Sequence, residues 1–135
     1  MSVRTFALLF GVIFLAVGAL GFVPAAVTPS PHPPGMTMHQ GYGLLLGLFP
    51  VNLLHNVVHL LFGAWGVLSR SAGAARNYFR GLAIIYALLA VMGLIPATQL
   101  TFGLIPLHGN DVWLHAVLAL AGAYFGWIHR ESSAA

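Results

Sequence analysis

The chain has 135 residues, of which 59% are hydrophobic and only 5% charged, and its formal net charge of +3 comes from five arginines set against Asp111 and Glu131. An ordinary soluble domain is about a quarter charged, so a soluble globular fold is excluded, and the absence of any basic run excludes a nucleic-acid footprint. With no cysteine, disulfides, thiolate metal sites and cysteine nucleophiles are excluded as well.

A bilayer core needs about 20 mainly apolar residues per helix, and four segments reach that length: 5–23, 50–68, 79–97 and 112–128. The first follows Arg4 and ends at Pro24. A signal peptide is the competing reading of it, with Ala25 and Ala26 just beyond, but its apolar stretch exceeds the roughly 7–15 residues of a signal h-region. A retained first helix is the reading adopted. Residues 24–41 form a connection rich in proline, and Met36, Thr37, Met38 and His39 close it. Two thioethers and an imidazole suit copper(I), although methionine serves equally well as a gap-filler.

Residues 43–49 are apolar enough to enter the membrane. The second span therefore begins near Tyr42 with a kink at Pro50, or at Pro50 itself as a first-turn proline. His55 lies near midplane in the first case and within two turns of the outer surface in the second. The second span ends at Ser69, Arg70 and Ser71, and the third at Pro96. The connection 98–110 carries His108, which reads, like His32, as an exposed loop residue. The fourth span opens on Asp111 and closes at His129, Arg130 and Glu131.

Arg4 lies at the amino terminus, Arg70, Arg76 and Arg80 in the connection between spans two and three, and Arg130 at the carboxyl terminus. The positive-inside rule then places both termini and the middle connection in the cytoplasm, with 24–41 and 98–110 facing outward. The expected architecture is one all-α, four-span membrane domain over 1–135. Trp65, Trp113, Trp127, Tyr42, Tyr78 and Tyr124 fall mostly near span ends, as an interfacial belt requires. Gly43 with Gly47, and Gly122 with Gly126, have the small-xxx-small spacing that lets helix backbones approach.

A duplication is also legible. Arg4 precedes a run ending in Gly21, Phe22, Val23 and Pro24, and Arg80 one ending in Gly93, Leu94, Ile95 and Pro96. Leu54, His55 and Gly66 stand at one constant offset from Leu114, His115 and Gly126. Two copies of one helical hairpin, related by an axis along the membrane normal, make His55 and His115 symmetry mates.

No charged residue lies between Arg4 and Arg70, yet Asn52, His55, Asn56 and His59 fall on one narrow helical face. Polar groups at membrane depth turn into the bundle, which makes this stripe the place to look for function. Asp111, four residues before His115, shares its face and suits a capping role in the first turn. If the halves are copies, His55, His59, His115 and Asp111 make a nitrogen and oxygen set for zinc, copper or iron. His55 and His115 alone could be axial ligands of a haem. The competing reading is structural: the asparagines and histidines hydrogen-bond one another and join the helices. No phosphate loop, dinucleotide fingerprint or serine nucleophile motif is present, and two acidic residues leave little for general acid–base catalysis.

Arg4 with Phe6 and Ala7, Gly18 with Gly21 and Phe22, Asn52, His55, Asn56, His59 and Gly63, and Asp111, Leu114 and His115 together resemble the pattern of the small bacterial four-span membrane proteins grouped as domain of unknown function 4383. The resemblance covers nearly the whole chain, and the Asn-x-x-His-Asn-x-x-His helix is its most specific part. It implies a bacterial inner-membrane protein and supplies no activity, ligand or catalytic residue. Three functions stay open: a metal-holding or accessory membrane protein, a haem-binding or redox subunit, and a minimal transporter that needs oligomerisation. The expected partners are the lipid bilayer and further copies or a larger membrane complex, with no nucleic acid.

Overall fold

Polar side chains start three of the four helices. In the computed structural model, which describes residues 1–130, Ser2 opens α1 (Val3–Leu20) by accepting from the Thr5 N–H at 3.2 Å. Asn52 opens α2 (Leu53–Leu68) through the His55 N–H at 2.9 Å, and Ser71 opens α3 (Ala72–Leu94) through the Ala74 N–H at 3.1 Å. Each cap satisfies a donor that the helix itself leaves free. The fourth helix, α4 (Asn110–Ala123), winds into one wider, π-helical turn over Tyr124–Ile128, closed by the His129 N–H on the Tyr124 carbonyl at 2.8 Å. Glu131, expected at the end of the fourth span, lies outside the described residues.

Three helices, α1, α3 and α4 with its π turn, are long and apolar enough to cross a membrane; α2, with 16 residues, is a shorter apolar helix. α1 packs along α2 and α3 along α4, and the two pairs meet mainly through α1 and α3. This pairing agrees with two hairpins. The core of Val3, Ala7, Phe14, Phe79, Leu82 and Tyr86 lies toward the arginine-bearing end. Tyr78 belongs to this core and is fully buried, so it is not the interfacial residue its position suggested; Trp65 packs edge-on against it at 5.3 Å.

The third helix begins seven residues before the expected start at Phe79, which places Arg76 and Arg80 inside it rather than in a loop. Their stems stay in the helix while their heads reach the end of α4. Arg76 donates to the His129 carbonyl at 3.0 Å and Arg80 to the Gly126 carbonyl at 3.1 Å. Cations at the exposed carbonyls of a helix end are favourable, and Arg80 also lies 5.6 Å above the Trp127 ring.

The apolar stretch before α2 is not helical. Val27–Thr28 (β1), Gly43–Leu45 (β2) and Phe49–Val51 (β3) form a three-stranded antiparallel sheet in that order, with Leu44 opposite Pro50 and Leu45 opposite Phe49. Leu46 and Gly47 turn the hairpin with φ of 53° and 72°, the paired positive values of a tight hairpin turn. Gly47 therefore supplies a turn and Gly43 a strand, not a helix-packing face. Pro50 sits on the edge strand, where a missing N–H is tolerated. Neither expected start of the second span is observed: the helix begins at Leu53, and His55 is in its first turn.

The α1–α2 seam is closed by glycines. A Cβ on Gly63 would lie 2.6 Å from Leu15 Cγ, 2.7 Å from the Leu15 nitrogen and 2.9 Å from the Gly11 carbonyl oxygen. Because two of those neighbours are backbone, relief requires the helices to separate. Gly63→Ala is expected to cost about 1–3 kcal/mol, the usual range for overpacking, measured as a lower unfolding midpoint in detergent. Gly122 stands against the Phe79 carbonyl and Ala83 backbone, and Gly126 against Arg80, so the small-xxx-small spacing of α4 serves packing within the bundle.

Candidate metal centre

The asparagines and histidines of the stripe divide into two groups with different work. Asn52, besides capping α2, donates through Nδ2 to the Met38 carbonyl at 2.8 Å and the Leu104 carbonyl at 2.7 Å. It thereby ties the loops 24–41 and 98–110 to the helix start. Asn56 donates to the Gly21 carbonyl at 2.9 Å, where α1 ends. Both amides are spent on backbone, so they do not satisfy the histidines.

The imidazoles are left for each other. His55 and His59 lie one turn apart on α2 with ring centroids at 4.5 Å. His115 comes from the second turn of α4, its ring held edge-on by Tyr86 at 5.1 Å, while Phe14 packs on His59 at 5.2 Å. Asp111, in the first turn of α4, is 1% exposed. Its Oδ2 lies 3.9 Å from His55 Nε2, beyond hydrogen-bond range. It has no hydrogen-bond partner among the described residues, and no side chain caps the start of α4 at Gly109. Capping therefore does not account for this carboxylate oxygen.

His55, Asp111 and His115 each offer one ligand atom, and these atoms all lie within 4.8 Å of one another. His59, expected in the same set, stands beside them against His55 and outside that group of three. The Nδ1 atoms of His55, His59 and His115 have no hydrogen-bond partner among the described residues. Leaving a buried polar atom unmatched costs about 1–3 kcal/mol, and here four such atoms gather in one place. Donors around a tetrahedral ion with bonds of about 2.0–2.1 Å are about 3.3 Å apart, so side-chain rotation of about an ångström closes the set.

Two cavities end on these rings. One of about 220 Å³ is lined by Val17, Leu114, Leu118 and the β2–β3 hairpin and reaches His55, His59, His115 and Asp111. The other, of about 130 Å³, lies among Val58, Phe62, Ile85, Leu89 and Tyr86 and reaches the same three histidines. Tyr86 was not singled out from the sequence. Its signal was available, since it lies well inside the third span and away from either interface.

The two loops that Asn52 joins are more ordered than their composition suggests. The Thr37 and Met38 N–H groups donate to the Gly103 carbonyl at 2.9 and 3.0 Å. Met36 is buried, while His39 is exposed and stacks on His32 at 4.9 Å, so the soft ligands proposed for copper(I) divide between core and surface. His108 is half-buried rather than exposed, and burial pushes its imidazole below the usual range.

Among known proteins, the family model described as Domain of unknown function (DUF4383) matches residues 4–128. No curated protein and no solved structure matches the chain.

Proposed function

Because the chain belongs to the family described as Domain of unknown function (DUF4383), which assigns no activity, we propose a function from the site itself: a multi-pass membrane protein that holds one transition-metal ion between α2 and α4. The ligands are His55, His115 and Asp111, with His59 one turn away as a fourth donor or a partner that orients His55. The observation that carries this reading is the convergence of three ligand atoms within 4.8 Å, from residues each of which has a buried polar atom with no hydrogen-bond partner among the described residues. Two imidazoles and a carboxylate suit zinc, copper or iron. The arginines gather at the end of the bundle opposite the site, which supports a bacterial inner membrane orientation with both termini cytoplasmic and all four helices as spans. Binding rather than turnover is the role proposed, with the bilayer, and further copies of the chain or a larger membrane complex, as partners.

A bis-histidine haem fits the same rings less well, because Asp111 Oδ2 sits 3.9 Å from His55 Nε2 and Tyr86 packs edge-on against His115. Metal analysis together with an absorption spectrum of protein purified in mild detergent tests the choice. A stoichiometric metal without a Soret band is the expected result. A Soret band would establish haem, and neither signal in folded protein would reduce the cluster to helix packing.

A further inference from the structure

We propose that the histidine cluster also binds a neutral, ring-sized phenol that enters sideways from the lipid. The two helix pairs touch through their core toward the arginine-bearing end, and in the other half they leave a crevice on each side. One lies between α4 and the β2–β3 hairpin, beside Val17 of α1, and the other between α2 and α3. Each runs inward from an exposed apolar residue, Ile85 at 38% on the flank of α3 and Leu46 at 64% in the β2–β3 turn, past half-buried aliphatic side chains to His55, His59 and His115. These three are 6%, 6% and 2% exposed.

Size, wall chemistry and the inner end restrict the occupant. Volumes of about 220 and 130 Å³ bracket that of an engineered apolar cavity of about 150 Å³ that holds benzene, so the larger takes one ring, the smaller is tight for one, and any longer tail stays in the bilayer. Walls of Val17, Leu114 and Leu118 on one side, and Val58, Phe62 and Leu89 on the other, with the Thr101 hydroxyl spent on the Ile105 carbonyl, offer nothing to replace the water around a sugar or a charged organic group, which excludes both from the crevices. At the inner end stand imidazole nitrogens and a carboxylate oxygen with no hydrogen-bond partner among the described residues. A plain hydrocarbon leaves them unmatched, at the cost of a buried orphan polar atom. A phenol hydroxyl can donate to or accept from an imidazole nitrogen while its ring fills the crevice. This needs the cluster of rings but not a bound ion.

The test is photolabelling with 3-azidophenol of the chelator-treated full chain in phosphatidylcholine vesicles, with labelled peptides identified by mass spectrometry. Label is expected within 114–118 of α4 or within 58–62 and 85–89. Excess phenol should reduce it by roughly fivefold more than equal excess toluene, the weight of one neutral hydrogen bond. Leu118→Trp, which fills the first crevice, should remove label from α4 and spare α2 and α3. Label spread evenly along the lipid-facing flanks, or equal competition by toluene and phenol in the wild-type chain, would overturn the proposal. Because the ion has been stripped, either outcome is independent of whether the protein holds a metal.

Discussion

His55→Ala and His115→Ala should each take bound metal from stoichiometric to background, while His32→Ala leaves it unchanged. The two rings come from different helices and, with Asp111, supply the three ligand atoms that lie within 4.8 Å of one another. Binding at a four-ligand structural zinc site totals about 10–16 kcal/mol, so loss of one imidazole from a smaller set should remove several kcal/mol and weaken affinity by roughly a thousandfold. Asp111→Asn keeps the volume and removes the charge that offsets the cation, and a smaller loss is expected. His32 lies on the surface against His39 and serves as the control for adventitious capture by exposed histidines. Elemental analysis after size exclusion, with helicity checked by circular dichroism, gives the comparison. Equal metal in all three histidine variants would remove the site.

Asn52→Ala should be the most damaging single change at the end of the bundle away from the arginines, at about 3 kcal/mol or more. It removes a helix cap worth about 1 kcal/mol and strands the Met38 and Leu104 carbonyls, each of which costs about 1–3 kcal/mol when it stays dry. Those carbonyls belong to different loops. The variant should therefore also expose backbone amides of 36–39 and 103–105 to hydrogen exchange ahead of global unfolding. A midpoint within error of the wild type, with the loops still protected, would show that the amide is not what fastens them.

Much of this architecture is legible in the chain because a bilayer sets helix length and leaves hydropathy as a strong signal. The inward turn of the stripe and the meeting of His55 with His115 follow from the cost of polar groups in hydrocarbon and from the offset between the two halves. Other features depend on chemistry that hydropathy does not register. Residues 43–49 are as apolar as a helix extension, yet the consecutive positive φ values at Leu46 and Gly47 make a hairpin, and the helix waits for Asn52. The charges of Arg76 and Arg80 suggested a loop, but long side chains can leave their stems in a helix and send their heads to its neighbour's carbonyls. Asn52 and His55 share a face in sequence, and only the loops that fold over α2 reveal that one fastens backbone while the other is left with unmatched nitrogen. Asp111 looked fully explained as a cap; its unpartnered Oδ2 beside His55 becomes visible only once α2 and α4 are placed together.

The most direct test of the account is X-ray absorption at the edge of whichever metal co-purifies with the wild-type chain. The account predicts nitrogen and oxygen neighbours at about 2.0–2.2 Å with the outer-shell scattering of two imidazoles, reduced to one in His115→Ala loaded with the same metal. A metal environment without imidazole scattering, or the same two-ring spectrum in that variant, would contradict a centre shared by the second and fourth helices.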